Sequence, residues 1–200
     1  MARSRWLYAA GHAVPGLTLA GFGLAHPVVL DAASAPWWAS LHVVLLPVFP
    51  LLAVAQWSLL SPAPRAVRLP GRVAAFAFAA FYGGLDAVAG IAAGTVVHAQ
   101  HGVTPVVGAV FEIGDTLGHV GAALFLAANL LLAFAAVRQA SWRAAPGAVV
   151  LPAASVSFFD SHIFWPRGVF TMLGIATGMF LLALAQETAC RRTRAMTTFR

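Results

Sequence analysis

Long apolar runs dominate the chain, and charged residues punctuate them at wide intervals. Residues 6–30, between Arg5 and Asp31, contain neither an acid nor an arginine. A second run covers 37–60 and ends at the break Ser61-Pro62-Ala63-Pro64-Arg65. Further runs cover 73–97, 116–137, 144–162 and 168–188. A spanning helix needs about 20 apolar residues. Lipid offers no partner for backbone polar groups, so helices and closed barrels are the structures that cross it. The pattern predicts an all-α, polytopic integral membrane protein, a single domain over residues 1–200 with six transmembrane helices, of which the fifth is the shortest.

The arginines orient these spans. Arg3 and Arg5 precede the first. Arg65, Arg68 and Arg72 separate the second from the third, and Arg138 and Arg143 separate the fourth from the fifth. Arg191, Arg192, Arg194 and Arg200 follow the sixth. With six spans, eleven of the 12 arginines fall on one side and only Arg167 on the other. Short arginine-rich segments stay cytoplasmic, so both termini are expected inside. Trp6, Trp57 and Trp142 mark the inner interface, and Trp37, Trp38 and Trp165 the outer one, as aromatic belts do.

Composition agrees with this class. Hydrophobic residues make up 60% of the chain and charged residues 9%, against about 25% charge in soluble domains. The mean hydropathy is +0.84. There is no lysine, while alanine and arginine abound. That bias suits a high-GC genome, and a bacterial inner membrane is the expected location. The net charge of +6 is spread over separate juxtamembrane segments without aromatic interleaving, which excludes a nucleic-acid surface. Cys190 stands alone, so neither an intrachain disulfide nor a cysteine zinc motif exists. The first apolar run is too long for a signal-peptide core and is expected to be a retained span.

Candidate chemistry lies mostly at the outer ends of the spans. Asp31, Glu112, Asp115, Asp160, His26, His98, His101 and His162 map there, with His42 and His119 about one turn inside. In Phe111–Gly121, Glu112, Asp115 and His119 would share an arc of roughly 60° if helical. The simpler account makes Glu112 a solvated loop residue and Asp115 the N-cap of helix four. His119 lies within the hydrocarbon boundary and needs a partner there. Residues 102–111 are the only connection between His101 and Glu112, so the tops of helices three and four should meet. His98, His101, Glu112, Asp115 and His119 are therefore the expected metal ligands. Histidine with carboxylate suits Zn²⁺ or Cu²⁺. Such binding needs neutral imidazoles and should weaken as pH falls through about 6.5.

Asp86 stands near the middle of helix three, in Phe81–Gly94. An ionised aspartate at that depth costs about 2.5–3.5 kcal/mol. It must face other helices, accept a hydrogen bond or stay neutral. Small residues surround it, including a GxxxG at Gly90 and Gly94, and helix six carries another at Gly174 and Gly178. Such surfaces permit close helix approach and homo-oligomers.

The leading expectation is an outward-opening acid and histidine pocket that binds or translocates a cation, a divalent metal or a proton-coupled small solute, and that ends at Asp86. One alternative is an intramembrane enzyme acting on a lipophilic substrate, with Asp86 as acid or base and His42 or His119 as its partner. Another is a haem-b protein with His42 and His119 as axial ligands. Expected partners are the lipid bilayer and a small ion or molecule.

The topology can be tested directly. A cysteine placed at Arg68 should resist an impermeant thiol reagent added to intact cells. Labelling from outside would reverse the predicted orientation.

Overall fold

The computed structural model describes the backbone of residues 2–197 and the side chains of residues 4–191. Arg3, Arg192, Arg194 and Arg200, which help to set the expected orientation, lie outside the described side chains. The described residues are all-helical. The helices are α1 (Ala2–Ala25), α2 (Ala35–Leu59), α3 (Arg65–Leu85), α4 (Ala93–Gln100), α5 (Pro105–Ala140), α6 (Ala145–Phe158) and α7 (Arg167–Thr197). A π-helical turn, Asp86–Ala92, joins α3 to α4 without a break, and a 3₁₀ turn, Ser141–Ala144, joins α5 to α6. Four stretches among the described residues are long and apolar enough to cross a membrane: Ala35–Leu59, Arg65–Gln100, Pro105–Phe158 and Arg167–Arg191. The third of these is bent back at Ser141, whose φ of 55° reverses the chain.

Several element boundaries differ from the sequence expectation. The helix expected from 116 begins at Pro105, behind Thr104 in extended conformation. Proline at the first helical position lacks only an N–H that would be orphaned anyway, and Val106–Phe111 continues the apolar face. Glu112 is therefore helical rather than loop, and Asp115 is interior to α5 rather than an N-cap. An acid in the sequence did not end the helix, because α5 reaches beyond the apolar stretch. The fifth helix stops at Phe158, so Asp160 and His162 belong to the turn that follows. The first stops at Ala25, ahead of His26-Pro27.

Neighbouring segments run antiparallel, as paired contacts show. Gly16 faces Ala176, and Trp6 stacks on Phe180, across α1 and α7. Gly71 faces Leu60 while Gly94 faces Ala39 across α2 and the α3–α4 unit. Gly121 faces Tyr82 while Gly114 faces Ala89 across that unit and α5. Both GxxxG pairs are covered inside the chain: Gly90 and Gly94 by His42, Trp38 and Ala39, and Gly174 and Gly178 by Ala154 and Leu151.

Two devices hold the bundle. Phe49, Phe78 and Phe158 are fully buried and pack around Tyr82, and the equally buried Phe125 packs on Phe78 and Phe158. Deeper, Gln56 donates to Asn129 Oδ1 (2.8 Å), Asn129 donates to Ser155 Oγ (2.9 Å), and Ser155 donates to the Leu151 carbonyl (2.7 Å). This buried chain pins α2, α5 and α6 together. Bonds of this kind are worth about 0.6–2 kcal/mol each in lipid. Towards the arginine-rich end, guanidinium groups lie over tryptophans in three pairs, Arg5–Trp6, Arg72–Trp57 and Arg143–Trp142. At the other end Arg167 lies 3.8 Å from Asp160, with both side chains exposed.

The α6–α7 contact yields a test. A Cβ at Gly178 would meet Leu151 Cβ at 2.6 Å, whereas one at Gly21 would meet nothing within 4 Å. Gly178→Val should therefore cost about 1–3 kcal/mol by overpacking and lower the unfolding temperature in detergent. Gly21→Ala should leave it unchanged or slightly raised. A wild-type unfolding temperature for Gly178→Val would contradict this packing.

Candidate functional site

Four segments converge at the end opposite the arginine–tryptophan pairs: the end of α1, the start of α2, the π turn and the α6–α7 connection. His26 follows the last residue of α1, and its Nδ1 donates to the Pro27 carbonyl at 2.8 Å. His42 lies in α2, and its Nδ1 donates to the Trp38 carbonyl one turn earlier, also at 2.8 Å. His162 sits in the tight α6–α7 turn with a φ of 40°. Its Nδ1 pairs with the Tyr82 hydroxyl at 2.8 Å. The π turn is shaped to this arrangement. Gly90 lies against the His42 ring, where any Cβ would overlap imidazole carbons. Nearby, the Ala89 carbonyl accepts from the Trp38 indole at 3.1 Å. Single π turns of this kind recur at functional sites.

The three imidazoles form a compact group. Ring centroids lie 5.0 Å apart for His26–His42, 5.6 Å for His26–His162 and 5.9 Å for His42–His162. One ligand-capable nitrogen from each lies within 4.8 Å of the other two. Because each Nδ1 is engaged, Nε2 is the free atom of each ring. His26 is 5% exposed and His42 3%. The Nε2 atoms of His26 and His162 are buried and have no hydrogen-bond partner. An unpaired buried polar atom costs about 1–3 kcal/mol, so in the tautomer that leaves Nε2 unprotonated these atoms are poised for a cation or a donor.

A cavity of about 330 Å³ adjoins the group. His42, His162 and Tyr82 face it, Trp38, Leu85, Phe111, Phe159 and Phe164 form apolar walls, and Asp115, His119 and Asp160 stand at its rim. His26 does not line it and sits behind His42 and His162.

Of the residues expected from sequence, His42, Asp115 and His119 share this cavity. His119 spends its Nδ1 on the Asp115 carbonyl at 2.7 Å, so the pair is local to one turn of α5. Glu112, His98 and His101 are exposed and do not line the cavity. His101 ends α4 in left-handed conformation, with its N–H on the His98 carbonyl at 3.3 Å. Asp86 is fully buried at the start of the π turn, does not line the cavity, and has no partner for either carboxyl oxygen. Outside the helices, the Asp31 carboxyl is held below the usual carboxylate range by the backbone N–H and the hydroxyl of Ser34. His26 and His162 map to the outer level in the sequence, but nothing in their neighbourhoods says that they turn inward. Tyr82 had no signal beyond its position one turn before Asp86.

Asp86 is open to a stability test. With no partner to lose, Asp86→Asn should unfold within about 1 kcal/mol of wild type, read by thermal unfolding in detergent. A large loss would reveal a partner for the carboxyl. No protein-family model, curated protein or solved structure matches this chain.

Proposed function

We propose that this chain is a six-span membrane protein, with both termini cytoplasmic, that binds a small cation in a pocket open to the extracytoplasmic side. The carrying observation is the 330 Å³ cavity itself, in which imidazoles and carboxylates converge on otherwise apolar walls. Ligand sites in membrane bundles have this character, since intramembrane ionisable groups are expensive and persist for a use. Alternation of antiparallel helices supports the six spans. The three arginine–tryptophan pairs gathered at one end support the cytoplasmic assignment of that end. The lysine-free, alanine-rich composition supports a bacterial inner membrane.

Binding is favoured over translocation in this conformation. Beneath the cavity Phe49, Phe78, Phe125 and Phe158 fill the bundle, each less than 2% exposed, so passage inward would need them to part. Acid–base catalysis by Asp86 with His42 or His119 gains no support, since the Asp86 oxygens contact no donor. A haem reading is separated from this one by a visible spectrum of the purified protein, in which a Soret band would overturn the cation pocket.

The rim provides the experimental handle. Asp115 and His119 are exposed at the cavity mouth and should attract cations. Calorimetric titration of the detergent-solubilised protein with Zn²⁺ should show saturable binding at neutral pH. Asp115→Ser with His119→Ala should weaken it several-fold, by loss of about 1 kcal/mol of local attraction. Absence of saturable binding by Zn²⁺ and by Cu²⁺ would defeat the proposal.

A further inference from the structure

We propose that His26, His42 and His162 form a metal centre that binds one divalent transition ion of the Zn²⁺ type through their Nε2 atoms, with a fourth coordination position open to the cavity. The proposal deepens the pocket reading and rests on it only for that open position. The ligands come from three separate parts of the chain: the residue after α1, the body of α2 and the α6–α7 turn.

The geometry carries the argument. One ring nitrogen from each of the three imidazoles lies within 4.8 Å of the other two. A tetrahedral ion with metal–nitrogen bonds of 2.0–2.1 Å holds its ligands about 3.3 Å apart, so small ring rotations bring the trio onto one ion. The second shell is already in place. Metal-bound histidines hand their other ring N–H to a carbonyl or a similar acceptor, which fixes tautomer and orientation. Here the Pro27 and Trp38 carbonyls accept from His26 and His42, and the Tyr82 hydroxyl pairs with His162 Nδ1 and can accept from it in the metal-binding tautomer, each at 2.8 Å.

A purely packing role accounts for less. Histidines buried only for packing would spend both ring nitrogens on protein partners, as His12 does with the Tyr8 carbonyl and the Ser58 hydroxyl. The Nε2 atoms of His26 and His162 are instead buried and unpaired, and the two rings lie 5.6 Å apart with the His42 ring 5.0 Å and 5.9 Å from them. The donor set selects the ion class. Three neutral imidazoles without thiolate or thioether suit Zn²⁺ or Cu²⁺ rather than Cu(I), and the absence of a carboxylate argues against Ca²⁺ and Mg²⁺. Since His42 and His162 face the cavity while His26 lies behind them, a bound ion turns its remaining position toward the cavity, where a small anion or a solute oxygen can reach it.

His26 separates this centre from the rim because it does not line the cavity. The full-length protein in detergent would be stripped with chelator, equilibrated with Zn²⁺, desalted and measured for bound metal. One ion per chain is expected. Tyr82→Phe keeps the ring but removes the hydroxyl from His162, and should weaken Zn²⁺ by about 10–100-fold. His26→Ala, His42→Ala and His162→Ala should each weaken it further than that. Asp115→Ser and His119→Ala should retain one ion per chain. Replacing Zn²⁺ by Co²⁺ should give the intense visible bands of a four-coordinate site, and azide should shift them. Each variant would be checked for a native elution volume and helical signal. Should His26→Ala misfold, Tyr82→Phe alone decides. Three results overturn the centre: no retained ion in the wild type, unchanged Zn²⁺ affinity in both His26→Ala and Tyr82→Phe, or Co²⁺ bands that ignore azide. Binding that depends on Asp115 and His119 but not on His26 or Tyr82 would refute the centre and leave the pocket reading standing.

Discussion

A polar atom placed among apolar helices must find its partner within the chain, because lipid supplies none. Most of the interior of this protein is arranged around that requirement. Gln56, Asn129 and Ser155 close on one another across three helices. Gln186 reaches the Leu59 carbonyl at 3.2 Å, and His12 bridges a backbone carbonyl of α1 to Ser58 of α2. Against that background the buried atoms left unpaired stand out. Two of them, the Nε2 atoms of His26 and His162, belong to rings grouped with His42 beside a cavity. The Asp86 carboxyl is another, one turn from the Tyr82 that holds His162.

Close helix approach makes this convergence possible. Gly90 lets the π turn lie against the His42 ring, and Gly114, Gly118 and Gly121 let α5 lie against Ala89, Leu85 and Tyr82. In lipid there is little hydrophobic gain from pressing helices together, so small residues and interhelical bonds carry association. The π turn adds a further consequence. Widening the helix over Asp86–Ala92 re-aims the following residues, so that Trp38 can bond the Ala89 carbonyl while its own carbonyl receives His42. One local irregularity thereby packs against His42 on a neighbouring helix.

The helical character was legible in the chain, because a membrane-crossing helix needs about 20 apolar residues, and four stretches among the described residues meet that length and composition. The polar gathering at one end follows from the same rule. Boundaries were less legible where an acid lies on the exposed face of a helix: Glu112 and Asp115 interrupt the hydropathy of α5 without ending it. The site was half legible. His42, Asp115 and His119 share a cavity, yet His162 reaches it and His26 reaches the imidazole group from residues outside the helices. His162 has a φ of 40° and His26 follows the last residue of α1, and neither feature can be read from hydropathy. Glu112, His98 and His101 are exposed and do not line the cavity. Residue type and depth alone did not distinguish ligand candidates from headgroup-level side chains.

The central claim is that the Nε2 atoms of His26, His42 and His162, which make no hydrogen bond among the described residues, are completed by a cation. X-ray absorption at the zinc edge of the purified, zinc-loaded protein tests it most directly. The account predicts a first shell at about 2.0–2.1 Å with outer-shell scattering from three imidazole rings and one further light atom. A first shell dominated by carboxylate oxygens, or showing one imidazole or none, would contradict it.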